Sequence, residues 1–386
     1  MMTEKNSLNV VYVGVGQFPI GDATTKRRRY MVDYMNSHNI SAHILGTTVK
    51  KKKMFNQLVG KYGEADYYSL FQFSSKKQFC RYYTNGLRKL KEWYKPDSQN
   101  VIIFISKLFI FEWPFYRYAK HLGYKIVFDQ VETNMLLNGN MRFLRKIKII
   151  INEWISDRAF RSSDSFVISS FLWEQNKKKY PNMRLCLLPN STPLLCTNSR
   201  KKINNPIKIL YSGTYSTKDG VGYLIDGVIK AMERGCKCEL YLLGKGQPRD
   251  MKVLERAKNK DNIYYLGYVS DEELINITQK CDILCMTRIN SKFANYGFPF
   301  KLSEYLATGN ILLATDIGDV TKYVQNKVSA YVVKPEDSNE IANAICHIEK
   351  NPVEAIKVAN NGLNVMQKYF SIENVGKTFE MFLRSL

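Results

Sequence analysis

Short apolar, β-branched runs recur along the chain, and most are followed by stretches with apolar residues every three or four positions. Asn9-Val-Val-Tyr-Val-Gly14 is the first run, and it leads through a glycine-bearing loop to a helical pattern from about Thr24 to Ser37. Runs at Ala42–Leu45, Val101–Ile105, Lys125–Phe128 and Phe166–Ile168 repeat the theme. Runs that are apolar throughout suit strands buried on both faces. Their alternation with helical patterns predicts a parallel sheet covered on both sides.

A second cycle opens at Ile207-Lys-Ile-Leu-Tyr-Ser-Gly213 and continues through Glu239–Leu243, Ile263–Leu266, Ile283–Met286, Ile311–Ala314 and Ala330–Val333. The polar stretch Leu195–Pro206 separates the cycles in the manner of a linker. Two doubly wound α/β domains are therefore predicted, 1–200 and 201–368, with a cleft between them. Ligands of such folds sit at the carboxyl ends of the strands.

Composition narrows the picture. Of 386 residues, 45% are hydrophobic and 24% charged, which excludes a disordered, collagen-like or disulfide-scaffold chain. The net charge of +22 is uneven, since residues 1–200 carry +18 and residues 201–386 only +4. An anionic partner of the first half follows: a membrane surface, a nucleic acid or a phosphorylated substrate. The eight cysteines show no CxxC pair and read as buried thiols of a reducing compartment. Cys281, Cys285 and His347 offer at best a thin zinc set. The polar start Met1–Asn9 is unlike a signal peptide, and the longest apolar run, Val101–Phe111, is broken by Lys107. A cytoplasmic protein is expected.

Two segments of the second half carry chemistry. Tyr211-Ser-Gly-Thr-Tyr-Ser-Thr-Lys-Asp-Gly-Val221 joins a strand to a helix through glycine, hydroxyls and Lys218, either as a phosphate-binding loop or as an ordinary turn with a solvated lysine. Arg288-Ile-Asn-Ser-Lys-Phe-Ala-Asn-Tyr-Gly-Phe-Pro-Phe-Lys-Leu-Ser-Glu-Tyr-Leu-Ala-Thr-Gly309 places Pro299 at the start of a helix and Lys301 in its first turn. The helix dipole disfavours a cation there unless an anion is bound. Glu304 follows on nearly the same face, within reach of a hydroxyl-bearing group attached to that anion. A simple surface pair of Lys301 and Glu304 is the alternative.

Arg288…Gly297-Phe-Pro-Phe-Lys-Leu-Ser-Glu304, followed by Thr315-Asp-Ile-Gly-Asp319, resembles the donor-site segment of retaining GT-B glycosyltransferases of family four, the bacterial polysaccharide and lipopolysaccharide type. Ser212-Gly213-Thr214 to Lys218 resembles that family's phosphate loop. Leu243-Gly244-Lys-Gly and Leu266-Gly267-Tyr-Val269 resemble the loops flanking its nucleobase, and residues 369–386 its helix crossing back to the first domain. Many members carry two glutamates separated by seven residues; Glu304 matches the second, and Tyr296 stands where the first would be. The resemblance therefore implies sugar contacts from the backbone of Gly297 and Phe298, with Asn295 or Tyr296 contributing.

In the first half, Gly14-Val-Gly16 to Arg27 departs from a dinucleotide fingerprint but resembles the family's N-terminal loop, with Arg27 as its helix-borne arginine. Arg28 and Arg29 read as a solvated basic face. Asp129, with Glu132 beside it, follows a buried strand where the family places an acidic residue or histidine at the cleft. Lys50–Lys53 and Arg142-Phe-Leu-Arg145-Lys146-Ile-Lys148-Ile-Ile-Ile-Asn-Glu-Trp154 account for much of the basic charge. The latter is either an interfacial helix or an ordinary helix with its apolar face in the core.

Together these readings imply a peripheral enzyme on the inner face of the plasma membrane. It would move a sugar from a nucleotide-sugar donor to an oligosaccharide or lipid-linked glycan, as in capsule or lipopolysaccharide synthesis, with no metal, no cofactor and no nucleic acid. Asp129, Lys218 and Lys301 would be catalytic. The alternatives are a basic nucleic-acid-binding protein, or a nucleotide-sugar epimerase or phosphorylase.

Overall fold

The computed structural model describes residues 7–14, 18–21, 23–46, 59–69, 76–108, 110, 112–131, 143–196, 200–258 and 260–386. The chain divides into two units. One comprises residues 1–191 with 372–386, and the other residues 192–371.

The first unit runs β1 (Ser7–Val13), α1 (Ala23–Ser37), β2 (Ser41–Gly46), β3 (Val59–Tyr62), β4 (Ala65–Ser69), α2 (Lys76–Glu92), β5 (Ser98–Ile105), α3 (Trp113–Leu122), β6 (Lys125–Gln130), α4 (Phe143–Phe160), β7 (Asp164–Val167), α5 (Ser170–Lys179) and β8 (Leu185–Leu187). Its sheet has the order β3-β4-β2-β1-β5-β6-β7-β8. All neighbours pair in parallel except β3 and β4, an antiparallel hairpin turning at Gly63. Periodicity alone missed this hairpin, because β3 is a short polar strand alternating between exposed and half-buried positions.

The second unit runs β9 (Ile207–Gly213), α6 (Val221–Glu233), β10 (Cys238–Gly244), α7 (Pro248–Met251), β11 (Ile263–Gly267), α8 (Asp271–Lys280), β12 (Ile283–Met286), α9 (Lys292–Tyr296), α10 (Phe300–Leu306), β13 (Ile311–Thr315), α11 (Val320–Tyr323), β14 (Tyr331–Val333), α12 (Ser338–Lys350) and α13 (Pro352–Tyr369). The sheet is parallel throughout, in the order β11-β10-β9-β12-β13-β14. Strand order reverses beside β9, so the loops after β9 and β12 flank the crevice where doubly wound sheets take ligands.

The last helix, α14 (Ile372–Arg384), belongs to the first unit. Its Val375, Phe379 and Leu383 share a core with Val10 and Tyr12 of β1 and Met31 and Met35 of α1. Gly376 makes this packing possible, because a Cβ there would stand 2.1 Å from the Tyr34 ring. The Tyr34 hydroxyl donates to Glu380 Oε2 at 2.7 Å, tying the same two helices.

Two expectations are corrected here. Cys236 and Cys346 form a disulfide rather than remaining thiols; α6 and α12 pack side by side, which brings the end of one helix against the other. Cys281 and Cys285 are buried thiols, while His347 lies against Glu354, so the suggested zinc ligands do not converge. Among the described residues no other group of three metal-ligating side chains gathers either. No helix among them is long and apolar enough to cross a membrane.

Candidate functional site

The site is built where β9 and β12 end. Gly213 closes β9, and a Cβ at that position would lie 2.3 Å from the Lys301 ammonium. The missing side chain is thus the space that Lys301 Nζ occupies. Lys301 stands in the first turn of α10, as its position after Pro299 predicts, and its Nζ sits 4.3 Å from the centre of the Tyr211 ring. The ring face offers the cation electron density without neutralising it. Burial pushes the Lys301 ammonium down to about 8, with Asp219 and Glu304 drawing it upward and Arg288 and Lys218 driving it further down. Lys301 thus stands in the combined field of Lys218, Arg288, Asp219 and Glu304.

The loop after β9 is rigidly shaped. Asp219 is buried and accepts from Thr214 Oγ1 at 2.6 Å and from Ser216 Oγ at 2.9 Å. Residues Thr217–Asp219 form a single 3₁₀ turn, so Lys218 precedes α6 and is not part of it. Gly220 follows at φ +65°, where a Cβ would run into the Thr287 carbonyl. The Ile289 amide donates to the Lys218 carbonyl at 3.1 Å, pinning the β9 loop to the β12 loop that carries Arg288. Gly244, at φ +114°, packs directly on the Gly213 carbonyl, and any side chain there would collide with it. The tyrosine hydroxyl of Tyr305 donates to the Ser212 carbonyl at 3.2 Å, anchoring α10 to the same loop.

Ser291 caps the short helix α9 by accepting from the Ala294 amide. Asn295 accepts from the Gly318 amide at 3.1 Å, which holds the Thr315–Asp319 turn against the segment bearing Tyr296 and Gly297. A Cβ on Gly297 would meet nothing within 4 Å, so the backbone there borders open space. The Phe298 side chain faces the other way, packing on Tyr323 and Phe370. Across the crevice, Gly267 ends β11 at φ +72°, and half-buried Val269 precedes the Ser270 cap of α8.

In the first unit, Gly14 at φ +95° donates its amide to the Leu45 carbonyl. Arg27 and Asp129 occupy different places from those expected of substrate-facing groups. Asp129 is buried and paired with both Arg27 at 3.0 Å and Arg28 at 3.2 Å. Arg27 also donates to the Pro189 and Leu188 carbonyls and to Asn190 Oδ1. Burial alone would raise the Asp129 carboxyl, but the two guanidiniums hold it below the usual carboxylate range. A carboxylate so stabilised is a poor proton acceptor at neutral pH. Arg28 is not solvated; it lies on the buried face of α1. Gly16, Glu132, Arg142 and Lys50–Lys53 lie outside the described residues, as do the side chains of Arg145, Lys146 and Lys148.

Sequence reasoning picked out Lys301, Lys218, Arg288 and Glu304 but missed Tyr211, Asp219 and Tyr305. A buried tyrosine two residues before Gly213 was their one available signal.

Residues 206–351 match the family model described as glycosyl transferases group 1. Most of the second unit is thus similar to group 1 glycosyl transferases. Over 170 residues it is 23% identical to the alpha-D-kanosaminyltransferase of Streptomyces kanamyceticus, covering 44% of this chain and 43% of that protein. It is equally similar, at 23% over 170 residues, to the O-antigen chain mannosyltransferase C of Escherichia coli, covering 43% of each chain. The chain thus spans about two-fifths of the length of the curated relatives it matches.

Beyond that domain the likeness is one of fold. HepE from Anabaena, in complex with UDP, superposes with a TM-score of 0.71 at 14% identity over 98% of this chain and all of its own. The lipopolysaccharide outer core galactosyltransferase WaaB gives 0.65 at 16%, covering 97% of this chain and 99% of its own. The fold is GT-B, with two α/β sheets that are parallel apart from the β3–β4 hairpin.

Proposed function

We propose that the protein is a retaining glycosyltransferase that moves a sugar from a nucleotide-diphosphate donor to a lipid-linked glycan during cell-surface polysaccharide synthesis. The observation that carries this reading is the buried Lys301 ammonium, lodged against Gly213 and flanked by Arg288 and Lys218. Charge develops on the leaving diphosphate as the glycosidic bond breaks, and a preorganised ammonium in a water-poor site stabilises that charge strongly. Gly213 and Thr214 bring backbone amides to the phosphates. Glu304 accepts from the ribose hydroxyls, and the backbone of Gly297 and Phe298, with Tyr296, contacts the sugar. The nucleobase lies between the Gly244 loop and the Gly267–Val269 loop.

The three cations supply the charge that a metal would otherwise bring, so transfer proceeds without one. Attack comes from the face the diphosphate leaves, with a phosphate oxygen assisting the acceptor hydroxyl, and retention follows. The UDP and UDP-glucose complexes of HepE, a protein of the same fold, support a nucleotide diphosphate at this crevice. The enzyme works as a peripheral protein on the inner face of the plasma membrane.

A thermal-shift panel of sugar nucleotides tests the reading, because a ligand at 100 times its dissociation constant stabilises by about 2.7 kcal/mol. One sugar nucleotide raising Tm, with chelator having no effect, is the expected result. Turnover of that donor without acceptor would instead indicate an epimerase. Failure of every sugar nucleotide, combined with salt-sensitive RNA binding, would replace the reading altogether.

A further inference from the structure

Helix α4 divides its apolar residues between two destinations. Ile155, Ala159 and Phe160 are buried in the first unit, as an ordinary amphipathic helix requires. Ile147, Ile150, Ile151 and Trp154 are exposed, Ile150 and Trp154 each to 62%. Their spacing of three and four places them on one stripe of the helix, and Arg158 continues it one turn further. Burying such side chains is worth kilocalories each, so a solvent-facing stripe of this size marks a contact surface.

The stripe leads into a hollow of about 640 Å³ between α3 and α4. Arg117, Lys120 and His121 of α3 line it on one side and Arg158 of α4 on the other. Its floor is the Trp113 ring stacked on Tyr116, whose hydroxyl is 3.0 Å from Ser162 Oγ. No carboxylate is among the described lining residues. The acids of α4 are engaged elsewhere: Glu153 by Lys107, and Asp157 by Arg161 and Lys179. The hollow therefore keeps its positive potential.

We infer that the α3–α4 face docks on an anionic lipid bilayer, with Ile150 and Trp154 entering the interface and Arg117, Lys120 and Arg158 receiving phosphate headgroups. A nucleic acid or acidic protein would satisfy the cations but leave the aliphatic stripe in water. A bilayer satisfies both, since apolar insertion and attraction to anionic headgroups add together. Tryptophan is well suited to this depth, with an apolar body and a polar edge. The +18 carried by residues 1–200 draws this unit to such a surface from a distance. That docking serves a lipid-linked acceptor rests on the glycosyl-transfer reading; the surface itself does not.

The test is sedimentation of the full chain with vesicles of phosphatidylcholine alone or mixed with phosphatidylglycerol. Wild type should bind the mixed vesicles, and binding should weaken as salt rises. The triple variant Arg117→Gln, Lys120→Gln, Arg158→Gln should lose about 100-fold in affinity, at about fivefold per cation. Ile150→Ser with Trp154→Ser should also lose most binding. All five of these side chains are exposed, so both variants should keep the wild-type Tm. Trp154 emission should shift to the blue on mixed vesicles, and Trp154→Phe should abolish that shift. Equal binding to both vesicle types, or variants that bind as wild type does, would overturn the proposal. Displacement by millimolar glycerol phosphate at constant ionic strength would overturn it in favour of a free phosphate site. Sugar-nucleotide binding by the same samples separates the two claims: its absence with vesicle binding intact removes the glycosyl-transfer reading and leaves the docking surface standing.

Discussion

A single ammonium organises the second unit's site, and three predictions follow from how it is held. Lys301→Ala should lower turnover by about 100-fold or more, the usual consequence of deleting one stabiliser of developing charge. Single-turnover rates would show it, and near-normal turnover would remove Lys301 from the reaction. Gly213→Ala tests the placement of the ammonium. Its new methyl would meet the end of the Lys301 side chain, and φ +157° strains any side chain at that position. Activity should fall nearly as far as in Lys301→Ala, with Tm lowered as well. The pH dependence has a definite sign. The free protein's Lys301 titrates at about 8, and a bound diphosphate favours the charged form. Donor affinity should be level below pH 8 and fall above it, by up to about tenfold per unit. Titration calorimetry at pH 9 in buffers of different ionisation enthalpy should register proton uptake on binding. Glu304→Gln should weaken nucleotide binding by about 1–3 kcal/mol if Glu304 accepts from the ribose. The place of Lys301 in a first helical turn was legible in the sequence, where a cation is anomalous. The pairing of Asp129 with Arg27 was not, because a sequence does not reveal that two charged residues far apart in the chain answer each other.

At the level of elements, the buried strands were legible wherever both faces of the sheet are covered, as in β1, β5 and β9, whose apolar runs are nearly continuous. The edge hairpin β3–β4 was not, because edge strands have less to bury. Helix α4 left two readings open from its sequence; Ile155, Ala159 and Phe160 pack in the core as in an ordinary helix, while Ile147, Ile150, Ile151 and Trp154 are exposed. Helix α14 gives the sharpest test at this scale. Phe379 is fully buried and stacks on Phe166 at 5.1 Å, with Tyr12 on the same ring. Phe379→Ala should cost about 3–5 kcal/mol, because both the transfer energy and the cavity count against it. Urea denaturation would read this, and a cost under 1 kcal/mol would mean that α14 is not part of the core.

For the molecule as a whole, the unequal charge of its two halves and the division into units have no common cause in the sequence pattern. The cycles of strands and helices were readable as two sheets. The return of the final segment to the first sheet's core was not readable from those cycles, and its expectation came from resemblance alone. The second unit is continuous in the chain, from residue 192 to 371. Expressed by itself, it should fold and bind the nucleotide diphosphate with an affinity close to that of its site in the full chain. Residues 1–191 by themselves lack Val375, Phe379 and Leu383 and should expose the core those residues cover.

That arrangement has a consequence for the order of events on the ribosome. The chain is made from its N-terminal side, yet the core of the first unit is incomplete until α14 has been made. The second unit, begun later, has every residue it needs as soon as position 371 clears the exit tunnel. Translation therefore finishes the younger part first, while the older, strongly basic part waits with an apolar groove along β1 and α1 unfilled. A chain released after Ser371, before α14 is made, should hold a protease-resistant second unit beside a protease-sensitive first one.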